Sequence, residues 1–361
     1  MGGETMPPPR RRTAITVRRA TPLALPLALC LAAGLATGCG GSTATAQDEV
    51  LVGLVTKTDD NPFYVKMKEG AQARGKQLGF RVQALAGKGQ SDNDSQVQAV
   101  ENLVAAGAKA ILITPADSKA ILPAVDKARS KGVLVLALDS PTDPVSATDG
   151  TFATDNYQAG LLIGRWAKET FKDKPAKIAM LDLSPAQVAV DVQRDQGFLE
   201  GFGVDVKDRA RIGDESDPRI VGHEVTDANE EGGRTAMEKL LQKDRGINLV
   251  YTINEPAAAG AYEAVKAAGL QDSVTIVSID GGCPGVRNVA GKVIGATSMQ
   301  FPIKMATDAL DAVAAYLKDG TKPRTSDGLE FTNTGVTLIT DRPVPGVPSQ
   351  DSAWGLKNCW G

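Results

Sequence analysis

The chain has 361 residues, enough for two domains that each bury a core. Apolar residues make up 42% and charged residues 23%, as in ordinary globular proteins, which excludes wholesale disorder and a collagen-like repeat. The net charge of −3 gives no electrostatic reason to expect nucleic acid as a partner.

Residues 1–38 have the order of a secretory signal peptide: an Arg-rich start, an apolar stretch and then small residues. Two prolines interrupt the apolar stretch, which is shorter than a membrane-spanning helix. Cys39 follows Ala36-Thr37-Gly38, which resembles a bacterial lipobox, although Leu is usual at the position of Ala36. These features predict export, lipidation of Cys39 and a flexible tether over residues 39–49. The protein is then expected at the outer face of the cell membrane or in the periplasm, and an unlipidated secreted protein is the alternative.

From Val50 onward, short apolar runs alternate with helical patterns. Strands formed by uninterrupted Val, Ile and Leu runs and separated by helices are typical of a parallel sheet covered on both faces. Strands are predicted over 51–56, 81–86, 110–114, 133–139, 177–183, 249–253 and 274–280, and helices over 63–78, 96–106, 118–130, 187–202, 234–243 and 257–268.

The second half of this pattern repeats the first. Pro115 and Asp139 are 24 residues apart, and so are Pro256 and Asp280. The repeat predicts an α/β fold made of two doubly wound parallel-sheet lobes. Because ligands bind beyond the carboxyl ends of such strands, we expect Asp139 and Asp280 to approach one cleft from opposite walls. The alternative role of each aspartate is to cap the segment that follows it.

The side chains expected near these strand ends suit a sugar. Carboxylates, amides and guanidinium groups offer paired acceptors or donors to neighbouring hydroxyls, and aromatic rings pack against C–H faces. Asn61-Pro62-Phe63-Tyr64 follows the first predicted strand, and two adjacent aromatic residues are conspicuous in a chain that is only 4% aromatic.

Several motifs occur in the order seen in ribose-type periplasmic sugar-binding proteins, the solute receptors of ABC importers, and this similarity spans roughly residues 50–340. The motifs are Asn61-Pro62-Phe63-Tyr64, Leu138-Asp139, Thr154-Asp155-Asn156, Arg194 before Gly197-Phe198, Asn254-Glu255, Ile279-Asp280-Gly281 and Met299-Gln300. The resemblance implies that Phe63 and Tyr64 sandwich the sugar ring. It also implies a set of residues that hydrogen-bond the sugar hydroxyls: Asn61, Asp139, Arg194, Asn254, Asp280 and Gln300.

The chain departs from the ribose receptors in ways that bear on the ligand. Those receptors carry Arg directly after the residue that aligns with Asp139, where this chain has Ser140. Lys57 is expected to restore a cation from a neighbouring loop, and we add Lys57 and Asp155 to the predicted binding residues. Thr56-Lys57-Thr58, Gly281-Gly282-Cys283 and the C-terminal Asn-Cys-Trp-Gly are similar to the fructose-binding branch of the family, which makes fructose the leading ligand.

The resemblance also implies three hinge crossings, near Thr154, Gln300 and Phe331. Residues 50–153 plus 301–330 would then form the N-terminal lobe, and residues 154–300 plus 331–361 the C-terminal lobe. The lobes are expected to close around the ligand.

Two cysteines remain once Cys30 leaves with the signal peptide and Cys39 is committed to lipid. In an oxidising compartment, Cys283 and Cys359 are expected to form a disulfide bond. Both belong to the expected C-terminal lobe, so their bond would not block closure.

The predicted function is capture of a monosaccharide and its delivery to an ABC transporter permease, without catalysis, cofactor or nucleic acid. The only histidine, His223, lies in a polar stretch and is expected at the surface, so no metal site is expected. A different pentose, polyol or furanosyl signal, read by a sensor, is one alternative. Asp139 and Asp280 could act as a glycosidase pair, but the chain has no P-loop, GxSxG or HExxH motif. A LacI-type regulator would carry a DNA-binding motif where this chain has its signal peptide.

Overall fold

The computed structural model describes residues 49–361; the predicted signal peptide, Cys39 and all but the last residue of the tether lie outside this range. The first lobe contains a parallel six-stranded sheet in the order β11-β5-β4-β3-β1-β2. Its strands are β1 (Val50–Thr56), β2 (Phe80–Ala86), β3 (Ala110–Ile113), β4 (Leu134–Leu138), β5 (Gly150–Ala153) and β11 (Thr332–Asn333).

Helices cover both faces of this sheet because its strands are apolar on both sides. Within β1, Val52 and Leu54 pack under one pair of helices, and Leu51 and Val55 pack under the other pair. The helices are α1 (Pro62–Leu78) and α9 (Pro302–Asp319) on one face, and α2 (Asn93–Ala105) and α3 (Leu122–Ser130) on the other, with a 3-10 turn at Val145–Ala147.

The second lobe repeats this arrangement, with a six-stranded sheet in the order β12-β10-β9-β8-β6-β7. Only β12 runs antiparallel to its neighbour, β10. The strands are β6 (Ile178–Asp182), β7 (Ile220–Val225), β8 (Leu249–Thr252), β9 (Thr275–Asp280), β10 (Ala296–Met299) and β12 (Thr337–Ile339). The helices are α4 (Asn156–Thr170) and α5 (Ala189–Phe202) on one face, α6 (Glu230–Lys243), α7 (Glu255–Ala267) and α8 (Cys283–Ala290) on the other, and α10 (Ser352–Asn358) beside α8. The predicted two-lobed α/β fold is confirmed.

The chain passes between the lobes three times. It crosses after β5, after β10 and between β11 and β12. The third crossing, predicted near Phe331, lies after Asn333, because Thr332 and Asn333 pair with Phe152 and Ala153 in the first sheet.

The C-terminal tail is attached to the second lobe by the predicted disulfide bond. Cys283 and Cys359 are joined with their Cα atoms 5.0 Å apart. The Cys283 N–H also donates a hydrogen bond to the Trp360 carbonyl oxygen at 2.9 Å. Across residues 49–361, no helix combines the length and the apolar character that a bilayer crossing needs.

Candidate ligand-binding cleft

The carboxyl ends of both sheets meet at one polar cleft between the lobes. Its empty space measures about 360 Å³, the mouth included. Nine of the ten predicted binding residues line the cleft, and Asp155 does not. The complete lining consists of Lys57, Asn61, Phe63, Tyr64, Gln90, Asp139, Leu183, Val190, Arg194, Ala228, Ile253, Asn254, Asp280 and Gln300.

Asp139 stands directly after β4, on the first-lobe wall. Its φ of 61° lies in the left-handed region, which is uncommon for a residue other than glycine and frequent at functional sites. The Asp139 Oδ1 atom is 3.6 Å from Arg194 Nη2, and both side chains are about 5% exposed. No hydrogen-bond donor within the described chain reaches this buried oxygen, which therefore remains available to a ligand.

Arg194, on α5 of the second lobe, is held in place by three acceptors. Its Nε donates to Asn156 Oδ1 at 2.9 Å, its Nη1 to the Ile253 carbonyl at 3.1 Å and its Nη2 to Gln300 Oε1 at 3.2 Å. A guanidinium with so many fixed partners is rigid, which suits recognition of neighbouring hydroxyls.

Asp280 ends β9 and faces the same space from the second lobe. Gln300 Nε2 donates to Asp280 Oδ1 at 2.8 Å, and the Glu255 N–H donates to Oδ2 at 3.3 Å. Burial raises the pKa of Asp280 from 3.8 to about 6, although Arg194 opposes this shift. Gln300 Oε1 also accepts from Thr154 Oγ1 at 3.2 Å, so residues at two hinge crossings are hydrogen-bonded to each other.

Lys57 brings a second cation to the cleft. It follows β1, and only 1% of its surface is exposed. Burial lowers the pKa of its ammonium group to about 8, and Asp139 partly offsets this effect. Most of the ammonium therefore stays charged at pH 7, and it lines the cavity as predicted.

The aromatic residues do not form the predicted sandwich. Phe63 and Tyr64 are buried, and their rings meet edge to face with centroids 5.4 Å apart. Adjacent rings in direct contact leave no room for a sugar ring between them, so both belong to one wall. Phe63 also meets the ring of Trp360 edge to face at 5.6 Å.

Three of the predicted binding residues are helix caps. Asp155 accepts the Gln158 N–H at 2.9 Å and does not line the cleft, contrary to prediction. Asn61 and Asn254 do line it, although Asn61 Oδ1 accepts the Phe63 N–H and Asn254 Oδ1 accepts the Ala257 N–H.

Five lining residues were not predicted from the sequence. Gln90 belongs to the loop after β2, where no motif distinguished it. The other four lining residues are apolar, and in the sequence they cannot be distinguished from ordinary core residues: Leu183, Val190, Ala228 and Ile253. Asn156, one residue beyond Asp155, was not predicted either; it does not line the cleft but accepts a hydrogen bond from Arg194 Nε.

His223 is not the solvated surface residue that was expected. It lies on β7 with its side chain only 18% exposed, between Asp182 and Glu215. Burial by itself would lower the pKa of His223, but hydrogen bonds to these two carboxylates raise it to about 11.

Two α/β lobes that enclose a polar cleft at the carboxyl ends of their sheets define a receptor for a small solute. The family model described as "Periplasmic binding protein domain" matches residues 52–322. The ribose import binding protein of Bacillus subtilis is 30% identical over 275 residues, which cover 75% of this chain and 84% of that protein. The chain therefore belongs to the ribose-type periplasmic binding protein family.

Other relatives differ in the ligand that their names state. The galactofuranose-binding protein of Escherichia coli is 30% identical over 243 residues, covering 65% of this chain and 72% of that protein. A crystal structure of a galactofuranose binding protein superposes with a TM-score of 0.72 at 25% identity, covering 86% of this chain and 98% of that one. The Caulobacter myo-inositol binding protein, with a TM-score of 0.71 at 23% identity over 82% of this chain and 94% of that one, shows the same fold.

Proposed function

We propose that this protein is an exported receptor that captures a monosaccharide between its lobes and delivers it to an ABC transporter permease. The observation that carries the proposal is the placement of Asp139 and Asp280, one from each lobe, in the same cleft as the Arg194 guanidinium, which lies 3.6 Å from Asp139. These groups supply acceptors and donors in fixed planes, as neighbouring hydroxyls require. The protein would bind its sugar without breaking a bond in it.

Fructose is our proposed ligand. Lys57 supports it, because this cation lines the cleft from the Thr56-Lys57-Thr58 segment that resembles the fructose-binding branch. Relatives are named for ribose, D-apiose and galactofuranose, so a pentose or another sugar in furanose form is the second candidate. We further propose that Cys39 carries the lipid that holds the receptor at the outer face of the membrane, within reach of its permease.

Calorimetric titration of the mature protein with fructose, ribose, galactose and myo-inositol tests the proposal. We expect one of the sugars to bind and to raise the melting temperature, because a ligand of the folded state stabilises it. Arg194→Ala and Asp280→Ala should each weaken binding roughly 30-fold or more, since truncating a buried charged partner costs about 2–5 kcal/mol.

Asp155→Asn is the matched control. Asp155 belongs to the same set of motifs but lies outside the cleft, and asparagine can still cap helix α4. Its affinity should equal that of the wild type. Near-native affinity in both cleft variants, or no heat with any sugar, would overturn the proposal.

A further inference from the structure

A second group of ionisable side chains lies in the second lobe, outside the sugar cleft. It consists of Asp182 at the end of β6, Asp195 on α5, His223 on β7 and Glu215 in the segment before β7. One ligand atom from each of Asp182, Asp195 and His223 lies within 4.8 Å of the other two. Ligands of one metal ion, each about 2 Å from it, fall within such distances of one another.

The hydrogen bonds of His223 distinguish its two ring nitrogens. Nε2 lies 2.6 Å from Glu215 Oε1. Nδ1 lies 2.8 Å from Asp182 Oδ2 and 3.8 Å from Asp195 Oδ2. Metal-binding histidines almost always donate their other ring N–H to a carboxylate or carbonyl, which fixes the tautomer. Glu215 occupies that position. Once zinc displaces the Nδ1 proton that Asp182 accepts, the Nδ1 lone pair would point toward the two aspartates.

The cluster also holds buried polar atoms without partners. Asp195 is fully buried, and its Oδ2 atom, aimed at His223 Nδ1, has no hydrogen bond in the described structure. The same holds for Asp182 Oδ1 and for the hydroxyl of Tyr251, which lies on the neighbouring strand β8. A buried carboxylate oxygen without a partner is costly unless a cation or a proton compensates it.

The charges in the cluster do not balance. Among the described residues, His223 is the only basic group that pairs with Asp182, Asp195 or Glu215. When all three carboxylates are ionised, even a protonated imidazole leaves an excess of negative charge in a mostly buried site. An ion can enter, because Asp182 and His223 line a surface cavity together with Ser184, Gln187 and Gly213.

We propose that Asp182, Asp195 and His223 bind a divalent transition metal ion. Their ligand set, one imidazole nitrogen and two carboxylate oxygens, favours zinc. Zinc accepts both ligand types in a four-coordinate site, in which a water molecule takes the remaining position. The ion would tie β6, β7 and α5 together. Since Asp195 follows Arg194 on α5, the metal would also fix the helix that carries the guanidinium of the cleft.

The test uses the mature protein after a chelator has removed any bound metal and the chelator itself has been removed. Titration with zinc should show one ion bound per chain, and the melting temperature should rise with zinc and fall again with chelator. Cobalt(II) should give the absorption bands of a low-symmetry site. Because zinc displaces protons from its ligands, its apparent affinity should increase with pH.

Asp195→Asn and His223→Gln should abolish the stoichiometric uptake. Glu215→Gln keeps all three ligands and should weaken zinc binding about 10- to 100-fold. Glu224→Gln, next to His223 but paired with Lys239, is the matched control and should bind like the wild type.

Absence of uptake by the wild type, or uptake that Asp195→Asn and His223→Gln retain, would overturn the proposal. If those variants do not fold, the wild-type stoichiometry and the Glu215→Gln affinity decide the question. Sugar titrations are separate, so failure of the metal site leaves the proposed receptor function standing.

Discussion

Asp280 combines a buried carboxylate with a raised pKa, and this has a consequence for the stability of the unliganded protein. Burial raises its pKa from the ordinary 3.8 to about 6. The folded state therefore holds this proton more tightly than the unfolded state. The resulting stabilisation is fully present below about pH 4 and is lost as the pH rises through about 6. A pKa increase of this size corresponds to about 3 kcal/mol.

Asp280→Asn should remove this pH dependence, because the amide does not ionise. Between about pH 4 and about pH 7, the wild type should lose about 2–3 kcal/mol of unfolding free energy relative to the variant. Urea denaturation of both proteins without sugar, at several pH values in this range, measures the difference. Parallel stability curves for the two proteins would show that Asp280 does not titrate as we expect.

Asp139 and Asp155 show what sequence reasoning can achieve at the level of residues. Both are aspartates that follow a strand, where either ligand binding or helix capping is chemically reasonable. Asp139 turns toward the cleft, whereas Asp155 caps α4. Whether such an aspartate binds a ligand or caps a helix depends on the direction in which its carboxylate faces. The order of the motifs in the sequence does not contain that information.

Glycines at the contact between α4 and α5 determine where Arg194 lies. A Cβ atom on Gly160 would come within 2.1 Å of the Arg194 carbonyl oxygen, and one on Gly197 within 2.2 Å of the Tyr157 carbonyl oxygen. Gly164 and Gly201 continue the same contact one turn further along. Because four residues lack side chains here, the two backbones touch, and α5 places its guanidinium beside Asn156.

Gly197→Ala should therefore separate the two helices. We expect a loss of about 1–3 kcal/mol in unfolding free energy, as in other overpacked cores, and weaker sugar binding because Arg194 moves with α5. Gly89→Ala is the matched control, since a Cβ there meets no atom within 4 Å and should change neither property. Chemical denaturation and sugar titration of both variants are the measurements. Unchanged affinity and stability in Gly197→Ala would mean that the helix contact is adaptable.

The strands that were not predicted from the sequence are short or polar. β7 carries Gly222, His223 and Glu224 in its centre, so it lacks the apolar run that identified the inner strands. It is an edge strand of its sheet, where polar residues are tolerated because one side has no neighbouring strand. The His223 cluster was missed for the same reason, since it requires β7 to lie beside β6.

At the scale of the whole molecule, the repeated spacing of strands and prolines was enough to predict two similar lobes. The cleft was predictable too, because parallel strands place their carboxyl ends at one edge of each sheet. The third crossing was placed two residues early, because β11 forms only through pairing with β5, far away in the sequence. The same limit applies to Trp360, which follows Cys359 of the second lobe in the sequence and contacts Phe63 of the first lobe.

The disulfide bond links global stability to the shape of the cleft. It holds the tail so that Trp360 Nε1 donates to the Gln300 carbonyl at 2.8 Å while its ring supports Phe63. The cross-link spans a sequence separation of 76 residues. In the chain-entropy model, a loop of this size contributes about 4–5 kcal/mol as an upper figure.

Replacing Cys283 and Cys359 together by serine should lower the unfolding free energy by up to about 4–5 kcal/mol and weaken sugar binding, because the freed tail no longer supports Phe63 and Gln300. Urea denaturation and calorimetric titration measure the two effects. Reductant should bring the wild type to the same values and leave the double variant unchanged, which separates loss of the bond from the substitutions themselves. If stability falls while affinity stays at the wild-type level, the tail supports the fold alone, and the link from Trp360 to the cleft is wrong.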